Sequence, residues 1–215
     1  MKREVGNVKY PIWGLGDSEP VNWRDVLDTP LDSRHPARHS ILTAILDVIQ
    51  EELFLRLKKR ADFKSIFIRN AIDDPAIKPK ENITGWKDMV QWKTLETEMN
   101  IYKDLCNQNT PTIVLCFGAF AYEFANRALN DKYEIKAFGT WGAKSMGKEF
   151  RNKISDFRIE RVNLFPLLHA SIARGQFMKS HEYFTGESNG NYFEYVGKNL
   201  ARIVIENKDS LKMFL

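Results

Sequence analysis

The residues of this 215-residue chain best suited to chemistry stand where apolar runs stop. Val162-Asn163-Leu164-Phe165-Pro166-Leu167-Leu168 ends at His169-Ala170-Ser171, an imidazole two positions from a hydroxyl, with Ile172-Ala173-Arg174-Gly175 behind it. An imidazole there can donate or relay a proton. Ser65-Ile66-Phe67-Ile68-Arg69 ends at Asn70, whose amide offers both a donor and an acceptor. The first apolar run passes through Gly16 into Asp17-Ser18-Glu19-Pro20, which holds two carboxylates able to orient water or face a cation. Each residue also has a structural reading. His169 can cap a strand through a backbone hydrogen bond, Asn70 can open an Asx turn into Ala71-Ile72-Asp73-Asp74-Pro75, and both acids can be solvated turn residues.

Positioning these groups requires strands that deliver them to one edge. The apolar runs at 10–15, 65–70, 112–118 and 161–168 read as strands, the third ending at Gly118. Helical spacing marks 40–60, 94–109, 118–129 and 191–207. Strand and helix therefore alternate, which predicts an α/β fold: a single domain over 1–215, three-layer α/β/α, with a central mainly parallel four-stranded sheet. The carboxyl ends of parallel strands share a rim, where ligand crevices form. Residues 17–38 and 73–92 fit neither pattern, leave strand ends, and are expected on that rim. Residues 138–142 read as a flexible link.

Composition narrows the function only slightly. With 43% hydrophobic residues the chain can bury one sizeable core, and a net charge of +4 from 32 basic and 28 acidic residues permits a polyanionic partner without demanding one. Lys78, Lys80 and the other scattered cations read as a solvated face, and Trp86 and Trp92 as loop anchors. Cys106 and Cys116 are too few for a four-cysteine metal site, and Cys116 reads as core. Met1-Lys2-Arg3-Glu4 leads into no apolar signal, and no run approaches the ~20 residues of a membrane helix. A soluble, cytoplasmic, monomeric protein without disulfides or membrane contact is expected.

Taken in order, these motifs resemble the uracil-DNA glycosylase superfamily. There an acidic motif follows the first strand, an asparagine ends the second, the third leads through glycine into a helix, and a histidine-led motif follows the fourth. The resemblance runs from about Tyr10 to Ile205 and is best at 65–70, 112–119 and 165–171. It implies a DNA partner, no metal or redox cofactor, and hydrolysis of a base–sugar bond after the nucleotide is flipped from the stack. Under it, His169 stabilises the departing base and Asn70 reads it. Gly16 and Gly118 belong to the substrate-binding set, Ser171 and Arg174 hold phosphate, and Ile172, Phe177 or Met178 wedges into the vacated stack. Counting from Gly16 gives Asp17 the role of catalytic carboxylate, whereas counting back from Pro20 gives it to Glu19.

The chain departs from the family in its acidic motif, its cysteines and its stacking residue. Its Gly16-Asp17-Ser18-Glu19-Pro20 matches neither the Gly-Gln-Asp-Pro-Tyr of the main branch nor the Gly-Glu-Ala-Pro-Gly of the iron–sulfur branch, whose four cysteines it also lacks. The aromatic residue that stacks on the flipped base has its nearest counterpart in His35, with Trp23 as an alternative. Arg34, His35, Arg38 and His39 can instead form a basic rim for phosphate, or a plain solvated loop. Two other functions remain compatible: a non-catalytic nucleic-acid or partner-binding module on the same fold, and a nucleotide or nucleoside hydrolase.

Overall fold

A computed structural model describes residues 3–19, 26–79, 91–173 and 178–214. Five strands form one sheet: β1 (Glu4–Val5), β2 (Ile12–Gly16), β3 (Phe67–Asn70), β4 (Ile113–Phe117) and β5 (Asn163–Leu167). Their order is β1-β3-β2-β4-β5. β2, β3, β4 and β5 are parallel, and β1 runs antiparallel on the edge of β3. The expected α/β class and mostly parallel sheet are present, but the sheet has five strands where four were expected. The extra strand pairs only Glu4 with Arg69 and Val5 with Ile68, too short a run to carry an alternating pattern. Charge helps to hold it. Arg69 is 2% exposed within β3 and reaches Glu4 at 3.4 Å and Glu98 at 3.9 Å.

The helices are α1 (Ala44–Leu57), α2 (Glu96–Asn109), α3 (Ala119–Leu129), α4 (Ala143–Ser155), the short α5 (Ala170–Ala173), α6 (Met178–Thr185), α7 (Tyr192–Glu206) and the short α8 (Lys208–Leu211). The helix expected over 40–60 is divided. A π-helical turn, Arg38–Thr43, leads into α1, which stops where Lys58 turns left-handed at φ 54°. Lys58 and Arg60 thus lie beyond the helix, their charges 5.4 and 5.3 Å from the Phe54 ring centre. At α7 the Asn191 side chain accepts from the N–H groups of Phe193 and Glu194, a typical N-cap. α4 lies outside every helix expected from the sequence, although Met146 and Phe150 recur at helical spacing on its buried face.

Every residue of β2, β4 and β5 is buried, as in parallel strands covered from both sides. Leu46 and Ile49 of α1 and Leu200 and Val204 of α7 meet Ile12, Ile113 and Leu115 on one face. Tyr102 of α2 packs its ring against Phe124 of α3, the ring centres 5.8 Å apart and the planes tilted by 54°. Each large apolar side chain so buried contributes roughly 1.5–3 kcal/mol relative to exposure.

The strand order decides where a site can form. From β2 the chain moves outward to β3, then crosses back past β2 to β4 and on to β5. The connections after β2 and β4 therefore diverge, opening a crevice at the carboxyl ends of those strands. Among the described residues no helix is long and apolar enough to cross a membrane.

Candidate functional site

A cavity of about 420 Å³ lies at that switch point, within the roughly 300–1,000 Å³ typical of small-molecule pockets. β2 contributes Gly16 and, just beyond it, Asp17, Ser18 and Glu19; β3 contributes Asn70; β4 contributes Phe117; and β5 leads to His169, Ala170 and Ser171. The opposite wall comes from the stretch that resisted regular structure: Leu27, Thr29, Pro30, Leu31, His35 and Ala37, with Ile41 behind them. Pro75 and Lys78 close the side next to β3. The expected residues Gly16, Asp17, Glu19, His35, Asn70, His169 and Ser171 thus line one space. Gly118 stands just behind it, and Arg174, Trp23, Phe177, Lys80 and Trp86 lie outside the described residues.

Asn70 pairs in register with Gly16, and both are buried. A β-carbon at position 16 would stand 2.6 Å from Asn70 Oδ1, so the glycine makes room for the amide. Among the described residues the Asn70 side chain has no hydrogen-bond partner, which leaves the Asx-turn reading without its defining bond. The loop after β3 is instead held by backbone: Ala71 N–H donates to Gly16 O at 2.9 Å and Ile72 N–H to Asp17 O at 3.3 Å. The amide is therefore open to whatever occupies the cavity, and it offers both a donor and an acceptor there.

His169 is positioned by its neighbours on three sides. Leu168 N–H donates to the Tyr192 hydroxyl at 2.9 Å, fixing the end of β5. Buried His181 bonds Ala173 O through Nε2 at 2.8 Å, fixing the helix that follows. Gly118, at φ +104°, lies under the imidazole, where a β-carbon would come within 3.2 Å of His169 Cβ. The ring also makes a local bond: Ser171 N–H donates to Nδ1 at 3.3 Å, and the Ser171 hydroxyl lies 2.8 Å from the same nitrogen. A backbone N–H can only donate, so Nδ1 accepts and the proton of the neutral ring sits on Nε2. The capping role and the donor role thus fall on different nitrogens.

The two carboxylates differ in setting. Asp17 Oδ2 accepts from Lys78 Nζ at 2.5 Å, while Oδ1 is buried with no partner among the described residues. Lys78 also lies 4.9 Å from the Phe120 ring centre. Glu19 is 8% exposed, its N–H donating to Asp73 O at 3.3 Å. Sequence reasoning counted Lys78 only among scattered cations, because nothing local marks it as facing a residue 61 positions away.

The basic loop is not a free cationic rim. Asp32, 8% exposed, accepts from the N–H groups of Asp28 and Arg34 and from the Arg34 guanidinium, which holds its carboxyl far below the usual range. Arg38 donates to Leu31 O at 2.9 Å, and His39 bonds Ser33 O at 2.9 Å. These bonds fold the loop so that His35 reaches the cavity with its Nδ1 accepting from Ala37 N–H at 3.1 Å. Trp92 is buried, its ring centre 5.5 Å from that of Phe120 in a tilted pair, with the Arg127 guanidinium 3.9 Å from its ring.

A carboxylate beside a cation, an amide able to give and take hydrogen bonds and an imidazole Nε2–H therefore share one cavity with apolar walls. Such a set can hold a flat polar ring, stabilise negative charge leaving on it and positive charge left behind. No protein-family model matches this chain, and no curated protein matches it.

Proposed function

We propose that this chain is a DNA glycosylase of the uracil-DNA glycosylase type, acting as a monomer on a deaminated or otherwise damaged base flipped from DNA, and that its helices and sheet form the three layers of that family. The observation that carries the reading is the Asn70 amide, which has no hydrogen-bond partner among the described residues and lines the same cavity as His169 and Asp17. A nucleobase edge, presenting donors and acceptors side by side, would satisfy that amide.

The chemistry follows from charge. Breaking an N-glycosidic bond leaves cationic character on the sugar and an anion on the base. Asp17, kept beside Lys78, faces the sugar cation and orients the water that adds to it; Glu19 lines the same wall and is its alternative. His169 Nε2–H donates to the base oxygen on which negative charge collects. Asn70 pairs with the base edge, and His35 offers a ring face for stacking. The Ser171 hydroxyl, exposed at the rim, orients His169 and meets backbone phosphate together with Arg174. The reaction is a redox-neutral hydrolysis, so these groups carry it without a cofactor.

Oligonucleotides carrying uracil, hypoxanthine or xanthine, treated with the protein and then with alkali, test this directly. Strand breaks are expected at one of these bases. Removing a single transition-state donor typically costs about 10²–10³-fold in rate, so His169→Ala should lose at least that much while melting like the parent. Asn70→Ala is expected to fail as well. Breaks that persist in both variants, or no breaks with any of the three bases, would refute the assignment.

A further inference from the structure

Base hydrolysis gives the Lys78 amine no chemical step of its own. That amine sits 2.5 Å from Asp17 Oδ2, its side chain 27% exposed, on a cavity to which Leu27, Leu31 and Phe117 give apolar walls. A primary amine in a pocket with apolar walls, with a carboxylate beside it to shuttle protons, can attack carbonyl carbon. The product of base removal is such a carbonyl: the abasic sugar opens to an aldehyde at C1′, in the same cavity where the base was held.

We infer that Lys78 gives this cavity a second activity, closing a Schiff base on the abasic sugar and cleaving the strand by β-elimination; the inference rests on the glycosylase reading for its substrate. The Lys78 ammonium passes a proton to Asp17, and the neutral amine forms a bond to C1′. The proton then returns to the new hydroxyl, which leaves as water, so that an ammonium and an aldehyde become an iminium and one water. Loss of the C2′ proton to a cavity carboxylate lets the C3′–O bond break, and the downstream strand departs with its phosphate. Water then releases Lys78 and an unsaturated aldehyde.

The test uses the full chain and an oligonucleotide with a preformed abasic site, so that it does not depend on base removal. Cyanoborohydride reduces an iminium to a stable amine. A protein–DNA adduct resistant to denaturation is expected with reductant, and strand cleavage before any alkali is expected without it. Peptide mapping should place the adduct on Lys78. A tetrahydrofuran analogue, which has no aldehyde, should give none. Lys78→Arg keeps a cation beside Asp17 and removes the reactive amine, so the adduct should disappear while thermal melting stays that of the parent; Lys78→Ala should lose it too. No adduct, an adduct mapped to another amine, or undiminished trapping in Lys78→Arg would overturn the inference. Base release that leaves only alkali-labile sites would also overturn it and leave the glycosylase reading standing. Trapping on abasic DNA without release of any base would support Lys78 and count against that reading.

Discussion

At the scale of single residues, the site depends on where side chains are absent as much as on where they are present. Gly16 is required because Asn70 Oδ1 occupies the space its β-carbon would take, 2.6 Å away. Gly16→Ala is therefore expected to push the amide out of the cavity while β2 stays paired with β3. Base release should fall as far as in Asn70→Ala, and the urea midpoint should drop by the equivalent of only about 1–3 kcal/mol, the usual range for overpacking a buried position. Full activity in Gly16→Ala would show that the position of Asn70 is irrelevant. His169 and Asn70 were legible in the sequence because each interrupts an apolar run, and a polar residue at a strand end has a defined place in space. Lys78 was not: it follows a short turn, Pro75–Ile77, and its relation to Asp17 arises only when β2 and β3 pair. The choice between Asp17 and Glu19 stayed open for a related reason, since the fold brings both to the same wall.

At the scale of elements, legibility followed local pattern. β2 to β5 and helices α1, α2, α3 and α7 announce themselves by local pattern, but segments fixed by one long-range polar contact do not. Residues 138–142 read as a flexible link, yet Trp141 is 8% exposed and donates through Nε1 to Glu123 at 2.9 Å. Glu123, fully buried on α3, also accepts from Tyr133 Oη at 2.7 Å, from Lys136 N–H at 3.0 Å and from Arg127 Nε at 2.8 Å. One carboxylate thus ties the 130–142 stretch to the helix that starts behind the cavity. Glu123→Ala would remove the acceptor shared by Arg127 Nε, Tyr133 Oη, Lys136 N–H and Trp141 Nε1, and strip the buried Arg127, 5% exposed in its side chain, of its carboxylate partner. Breaking a buried pair in this way costs about 3–5 kcal/mol. Urea unfolding should show a loss of that size. Base release measured well below the melting temperature should remain near the parent value, because Glu123 does not line the cavity. A stability change under about 1 kcal/mol would mean that the carboxylate does not organise this stretch.

At the scale of the whole molecule, the sequence could indicate the class of the fold but not the order of its strands. β2, β4 and, after Asn163, β5 are apolar and interchangeable by composition, so their order is decided by packing and crossover geometry. The two-residue β1 had no pattern to read at all. The same dense core makes a prediction about pH that belongs to no single site. Burial raises the hydroxyls of Tyr102, Tyr122 and Tyr192 well above the usual tyrosine value of about 10, and Glu149 adds to the effect at Tyr122. Burial likewise pushes the Cys106 thiol up to about 12, and Cys116 higher still. Each of these groups binds its proton more tightly in the folded chain. Their contribution to stability is complete below the unfolded values, near pH 8.5 for thiols and 10 for tyrosines, and is lost as pH rises beyond them, because only the unfolded chain then ionises. Each such group removes about 1.4 kcal/mol per pH unit, so the three tyrosines together remove about 4 kcal/mol per unit above pH 10. Against a total stability of about 5–15 kcal/mol, the protein is expected to unfold cooperatively in alkali, within about two pH units of where tyrosine normally ionises. Tyrosinate absorbance from the buried rings and loss of far-ultraviolet circular dichroism should then rise in one coincident step. Gradual ionisation of all the tyrosines with helical signal intact would show that the core around α2, α3 and α7 admits water far more freely than this packing allows.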